Sequence, residues 1–209
     1  MMTDTFIERL SERYLQGLPG REHQQKMAVL ARHRTMDAPP TARRACVMVL
    51  LFPKNGEWHV LLTERTSSDN PDNRHSGQIS FPGGKVEAED KSLLACALRE
   101  TFEEVGIPLH SIHIIGEMTD LYIPVSNFHV FPFLGWTVDT PQYQPQETEV
   151  KNIIETPLSI LQNPDNWKYK DIHINESFVL QDVPYFDVDG KVVWGATAMM
   201  LSEMLELLR

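Results

Sequence analysis

Between Gly77 and Ile107 the chain reads GQISFPGGKVEAEDKSLLACALRETFEEVGI, and no other stretch restricts its folding as much. A short β-like run passes through a double glycine, Gly83-Gly84, into a segment with helical period that stops at Gly106. Leu94, Ala97, Leu98, Thr101 and Val105 recur at helical spacing, which predicts a helix over Asp90 to Val105 with that stripe buried. Glu100, Glu103 and Glu104 stand at i, i+3 and i+4, so their carboxylates share one face, and Arg99 lies four residues before Glu103 to offset part of their repulsion. A glutamate-rich face is commonly just a solvated surface. The same oxygen donors also suit a hard divalent cation, which binds through carboxylates, waters and substrate phosphates. The double glycine favours the second reading, because it lets the backbone approach whatever the helix holds and offers a carbonyl near Gly84 as a further donor.

The flanks supply a sheet. Arg43 to Phe52 is almost continuously apolar, as expected of a strand buried on both faces. Asn55-Gly56 marks a hairpin turn, and Trp58 to Arg65 is the returning strand. Thr66 to Arg74 is polar, contains Pro71 and reads as a long loop. Ile112 to Leu121 is strand-like with a break at Gly116, and Phe128 to Trp136 is a strand in which Pro132 predicts a bend or an edge. Val150 to Ile154 reads as a short strand. Pro157 to Leu161 reads as a short helix capped by Thr156. Trp167 to Ile174, Phe178 to Leu180 and a hairpin at Asp189-Gly190 add strands, and Ala196 to Leu208 closes the chain as a helix with Met199, Met200, Met204, Leu207 and Leu208 on its apolar side.

Ahead of the sheet, Thr3 to Gln16 reads as an amphipathic helix with Phe6, Leu10, Tyr14 and Leu15 near one face, and Arg21 to Arg32 as a second helix. Pro39 and Pro40 divide this arm, residues 1–40, from a main domain of residues 41–209, and the arm reads as a packing or dimer contact. Interleaved strands, hairpins and helices make an α/β (α+β) domain, a mixed sheet covered by helices.

The formal net charge of −10 argues against a nucleic-acid partner, which needs a basic footprint, but leaves room for a phosphate-bearing small molecule reached through a divalent cation. Cys46 and Cys96 lie in apolar runs and read as buried, reduced thiols. The N-terminal residues show no secretory pattern and no apolar run is long enough to span a bilayer, so a cytoplasmic location without membrane attachment is expected.

Gly84 followed by Arg99-Glu100-Thr101-Phe102-Glu103-Glu104-Val105-Gly106-Ile107 resembles the Nudix box. The second half agrees residue for residue. In the first half Asp90 stands where the usual box has glutamate, and Arg99 comes nine residues after Asp90 rather than eight. This lengthened form is similar to that of the coenzyme A pyrophosphatase branch. That branch also carries a motif like Leu62-Thr63-Glu64-Arg65, a basic segment like Arg74-His75-Ser76-Gly77, and then Phe81-Pro82-Gly83-Gly84. Here the middle is longer, and Asn73 stands where the branch has a second arginine, with Arg74 one position along. Glu147-Thr148-Glu149-Val150, Pro157-Leu158 and Val193-Trp194-Gly195-Ala196-Thr197-Ala198 also look like family features.

The resemblance implies a Nudix-type α/β/α sandwich, preceded by the helical arm. It implies Mg²⁺ or Mn²⁺ held by Glu100, Glu103, Glu104 and the Gly84 carbonyl, with Arg99 orienting a ligand glutamate. A helix glutamate or Glu149 would be the general base, and Arg65 and Arg74 would contact the substrate's phosphates. The implied reaction splits the diphosphate of coenzyme A or its thioesters into 4′-phosphopantetheine and adenosine 3′,5′-bisphosphate, and a homodimer is the family-level expectation. Two alternatives stay open: a Nudix hydrolase for ADP-ribose, a dinucleotide or a nucleoside triphosphate, and a non-catalytic sensor of coenzyme A or a nucleotide. The intact glutamates and Arg99 count against the sensor.

Overall fold

In the computed structural model, residues 2–29, 37–66, 77–175 and 178–209 are described. Among the described residues the main sheet has eight strands. These are β1 (Arg43–Lys54), β2 (Glu57–Arg65), β3 (Ile79–Ser80), β4 (Gly83–Lys85), β5 (His113–Glu117), β6 (Leu121–Ile123), β7 (Phe128–Trp136) and β8 (Val150–Pro157). Its order is β3-β2-β1-β7-β5, with β4 also on β1, β6 on β7 and β8 on β2. β1 and β7 run parallel and the other pairs antiparallel, so the sheet is mixed. A second sheet, β11-β10-β9, is built from β9 (Trp167–Asn175), β10 (Phe178–Val188) and β11 (Lys191–Trp194).

Strand β1 explains the layering. Its side chains alternate between two apolar clusters, because successive residues of a strand point to opposite faces. Cys46, Met48, Leu50 and Phe52 face the helix α3 (Leu93–Val105) together with Cys96, Ala97 and Val105. Ala45, Val49 and Leu51 join the other cluster, with Ile7, Leu10, Phe186 and the closing helix α5 (Gly195–Leu207). The result is the expected α/β sandwich, a mixed sheet between helices. Asn55 and Gly56 both have positive φ, 54° and 80°, which is the primed turn that a two-residue hairpin needs.

The helix α1 (Met2–Gln16), and Met27 and Ala28 just after α2 (Arg21–Gln25), share the larger cluster. Phe6 stacks on Trp58 at 4.5 Å, and the Tyr14 hydroxyl donates to the Glu117 carbonyl at 2.9 Å. Glu203 of α5 is fully buried; it accepts from Gln24 Nε2 at 2.8 Å, from Thr119 Oγ1 at 2.5 Å, and from the N–H groups of Gly20 and Thr119 at 3.3 Å. One carboxylate therefore ties the arm, the closing helix and the β5–β6 connection together.

Several local expectations are corrected. Leu15 is 83% exposed, while Ile7 turns inward in its place. α2 ends at Gln25, after which Lys26, Met27 and Ala28 continue in tighter three-residue turns; residues 30–36 lie outside the described residues. The strand runs on through Gly116, but its register with β7 shifts between Ile114 and Gly116. Gly116 sits inside β5, where an added Cβ would stand 2.0 Å from the Tyr14 hydroxyl, and the break comes after Glu117. Pro132 is not on an edge strand, since β7 lies between β1 and β5. Its missing donor falls where β5 hands over to β6, between the Glu117–Phe133 and Leu121–Val130 pairs. Thr156 is buried in β8 opposite Val60 and caps nothing at α4 (Leu158–Gln162). α5 is buried on nearly every side, so it has no single apolar face.

Candidate active site

The site forms where β4 passes the last two turns of α3. The two glycines of β4 have separate reasons. A Cβ on Gly83 would stand 2.3 Å from the Cys46 carbonyl of β1, and a Cβ on Gly84 would stand 2.5 Å from the Glu100 carboxylate. Gly83 lets β4 lie against β1, and Gly84 lets Glu100 lie against β4.

α3 begins later than its period alone suggests. Ser92 caps it by accepting the Ala95 N–H at 3.1 Å, and Gly106 ends it in the left-handed conformation, φ 74°. Asp90 therefore lies in the preceding turn, accepting the Glu87 N–H at 2.8 Å. Its other bonds go to Arg99, whose Nε and Nη2 reach its two oxygens at 2.9 Å each. This two-pronged grip holds the Asp90 carboxyl down at about 2 and raises the Arg99 guanidinium above its ordinary value.

Arg99 Nη1 also meets Glu100 at 2.9 Å and Glu103 at 2.8 Å, while Nη2 donates to the Lys85 carbonyl at 3.2 Å. One guanidinium therefore gathers three of the acidic groups. Glu104 turns the other way. It is 2% exposed, accepts the Gly83 N–H at 3.1 Å, and pairs with Arg65 Nη1 at 3.3 Å. The expected shared face thus divides into a buried Glu104, a half-buried Glu100 and an exposed Glu103. Burial pushes the Glu104 carboxyl up to about 7; Arg65 and the Gly83 N–H oppose the rise, and the charges of Glu100 and Glu149 add to it. Glu100 is raised as well, first by burial, with Arg99 opposing and Glu103 and Glu149 adding.

Glu149 enters from the loop before β8. Its carbonyl accepts the Thr66 N–H at 2.8 Å, and the same loop closes the end of α3 through Gln144 N–H to the Val105 carbonyl and Gln146 N–H to the Glu104 carbonyl, 2.9 Å each. Glu149 is thereby near enough for its charge to act on both Glu100 and Glu104. Of the residues singled out by sequence, Gly84, Arg99, Glu100, Glu103, Glu104, Glu149 and Arg65 come together here, whereas Arg74 lies outside the described residues. The Gly84 carbonyl accepts the Cys96 thiol at 3.8 Å, and both cysteines are free and buried.

Sequence reasoning missed Glu64. It accepts from Lys151 at 2.7 Å, Asn152 at 2.9 Å and Lys191 at 2.9 Å, joining β2 to β8 and to the second sheet. Strand alternation carried the signal: Glu64 shares a face with Val60 and Leu62, opposite Arg65.

Among the described residues, no three His, Cys, Asp or Glu side chains converge as a cation site. Asp90, Glu100, Glu103 and Glu104 are neighbours, but each is turned toward a guanidinium or a backbone N–H. Their chemistry still fits a hard divalent cation: the donors are oxygens, Glu100 fills the space left by Gly84, and burial raises the proton affinity of Glu104.

The NUDIX domain model matches residues 42–175, and the chain belongs to the Nudix family. It is 31% identical over 169 residues to the uncharacterized Nudix hydrolase NudL of Yersinia pestis (strain Pestoides F), covering 79% of this chain and 80% of that one. The NudL of Yersinia pseudotuberculosis serotype O:1b (strain IP 31758) matches equally well. A MutT/nudix family protein from Enterococcus faecalis has the same fold, with a TM-score of 0.52 at 14% identity, over 89% of this chain and 71% of that one. The chain is accordingly a Nudix hydrolase acting on nucleoside diphosphate derivatives, a family that generally needs divalent cations. No helix among the described residues is long and apolar enough to cross a membrane.

Proposed function

We propose that this hydrolase cleaves the diphosphate of coenzyme A or its thioesters with Mg²⁺ or Mn²⁺, releasing 4′-phosphopantetheine and adenosine 3′,5′-bisphosphate. The observation that carries the hydrolytic part is the placing of Glu100 and Glu104 against the Gly83-Gly84 backbone, with Arg65 at the same place. Glu100, Glu103, Glu104 and the Gly84 carbonyl would hold the cation. When bound, it would neutralise phosphoryl charge and lower the pKa of a water. Arg99 keeps Glu100 and Glu103 in place through its anchor on Asp90. Glu149 and the helix glutamates are the groups able to accept the proton of the attacking water. Arg65 and Arg74 supply guanidinium forks for phosphate.

Support for coenzyme A comes from the lengthened box and from Leu62-Thr63-Glu64-Arg65 ahead of Phe81-Pro82-Gly83-Gly84. Two buried free thiols suit a reducing, cytoplasmic setting. The test is incubation with Mg²⁺ or Mn²⁺ and a panel of coenzyme A, acetyl-coenzyme A, ADP-ribose, NADH and dATP, following products by chromatography. Preferred turnover of the coenzyme A compounds is expected. Turnover of another compound alone would overturn the coenzyme A assignment, and tight binding without turnover would replace it with a sensor.

A further inference from the structure

A buried carboxylate needs a counter-charge, and for Glu104 that charge is Arg65. The pair is a weak version of what arginine can form. It is a single contact of 3.3 Å through Nη1, without the second parallel bond of a fork-to-fork pair. Among the described residues Arg65 has no other ion pair, and its side chain is 30% exposed while that of Glu104 is 2% exposed. The guanidinium therefore reaches the cluster from the open side. Arg99, by contrast, is committed to Asp90, Glu100 and Glu103 and to a backbone carbonyl. Four carboxylates, Asp90, Glu100, Glu103 and Glu104, thus share two guanidiniums, and the charge of Glu149 acts on Glu100 and Glu104 as well, an excess of negative charge that a divalent cation would relieve.

We propose that Arg65 is an exchangeable counter-ion: it occupies Glu104 while the cation is absent, and cation binding at the glutamates takes Glu104 and frees Arg65 for the substrate's diphosphate. The inference rests on the proposed assignment of Glu104 to the cation. The contrast between the two arginines carries it. The committed one is a positioning residue, and the one held, among the described residues, by a single long side-chain contact can leave. Two consequences follow from linkage. Arg65 competes with the cation, so removing it strengthens cation binding, and Arg65 contributes to diphosphate binding only when the cation is present.

The test compares the wild-type protein with Arg65→Met, which keeps the aliphatic stem, and Arg65→Lys, which keeps the charge without the fork. Mn²⁺ binding is read from the electron paramagnetic resonance signal of the free ion. Adenosine 5′-diphosphate binding is read by calorimetry, in Mg²⁺ and again in EDTA. Arg65→Met is expected to bind Mn²⁺ about three- to tenfold more tightly, and to bind ADP about 10–100-fold more weakly in Mg²⁺ but equally in EDTA. Arg65→Lys is expected to hold Mn²⁺ near the wild-type affinity and still lose ADP affinity in Mg²⁺. Unchanged or weaker Mn²⁺ binding in Arg65→Met would overturn the exchange, as would an equal loss of ADP affinity in Mg²⁺ and EDTA. If the wild-type protein binds no Mn²⁺, or Glu104→Gln binds it undiminished, the cation assignment itself fails. If Mn²⁺ binding depends on Glu104 but not on Arg65, only the exchange fails.

Discussion

Neutralising Glu64 should loosen the protein in a way that depends on pH. Its carboxylate is the joint between the two sheets, with Lys151 and Asn152 on one side and Lys191 on the other. These partners, Lys151 first, then Lys191 and Asn152, lower its pKa from 4.5 to about 2. A shift of that size corresponds to about 3 kcal/mol at ~1.4 kcal/mol per unit. Lys151 and Lys191 are 55% and 40% exposed, however. Solvent screening of such half-exposed partners leaves about 1–2 kcal/mol. The folded-state pKa lies below the unfolded one, so this stabilisation is complete above pH 4.5 and disappears as the pH falls through about 2. Urea unfolding of the wild-type protein and Glu64→Gln at a series of pH values isolates the contribution, because the other acidic groups cancel in the difference. The difference should be about 1–2 kcal/mol near neutrality and should fall by more than half by about pH 3. A difference that is absent, or that does not change with pH, would refute the assignment of the joint to charge.

Two further outcomes are expected. Glu103→Gln, at an exposed position, and Glu104→Gln should each lower kcat by orders of magnitude with little change in far-ultraviolet circular dichroism, and near-wild-type rates in both would remove the helix glutamates from the cation site. Glu203→Gln should lower stability by about 2–4 kcal/mol in chemical denaturation, since an amide NH₂ must then face donors that now point at a carboxylate; a change below about 0.5 kcal/mol would show that the arm is not held by this residue.

Much of the fold was legible because it is locally encoded. The apolar run of β1, the Asn55-Gly56 turn and the helical stripe of α3 are each set by consecutive residues and their backbone dihedrals. The errors lie where a distant element intervenes. Gly116 reads as a break until Tyr14 is packed on it, and Pro132 reads as an edge until β5 and β6 are seen to meet beside it. Thr156 resembles a cap in a linear reading, but it is a buried strand residue.

The acidic stretch from Gly84 to Gly106 shows the same division. By itself the sequence determined the family, the close approach allowed by the glycine pair and the order of Arg99, Glu100, Glu103 and Glu104 along one helix, because helical spacing is a property of consecutive residues. Only the tertiary structure decided that these glutamates are unequal: Glu104 buried against Arg65, Glu100 filling the gap at Gly84, and Glu103 left in solvent on Arg99. It also decided that Glu149 joins them and that Asp90 serves Arg99. The reason is that burial and charge pairing depend on which strands lie side by side. Arg65 and Glu104 are 39 residues apart, and they meet because β2 and β4 both pair with β1, on which α3 is packed.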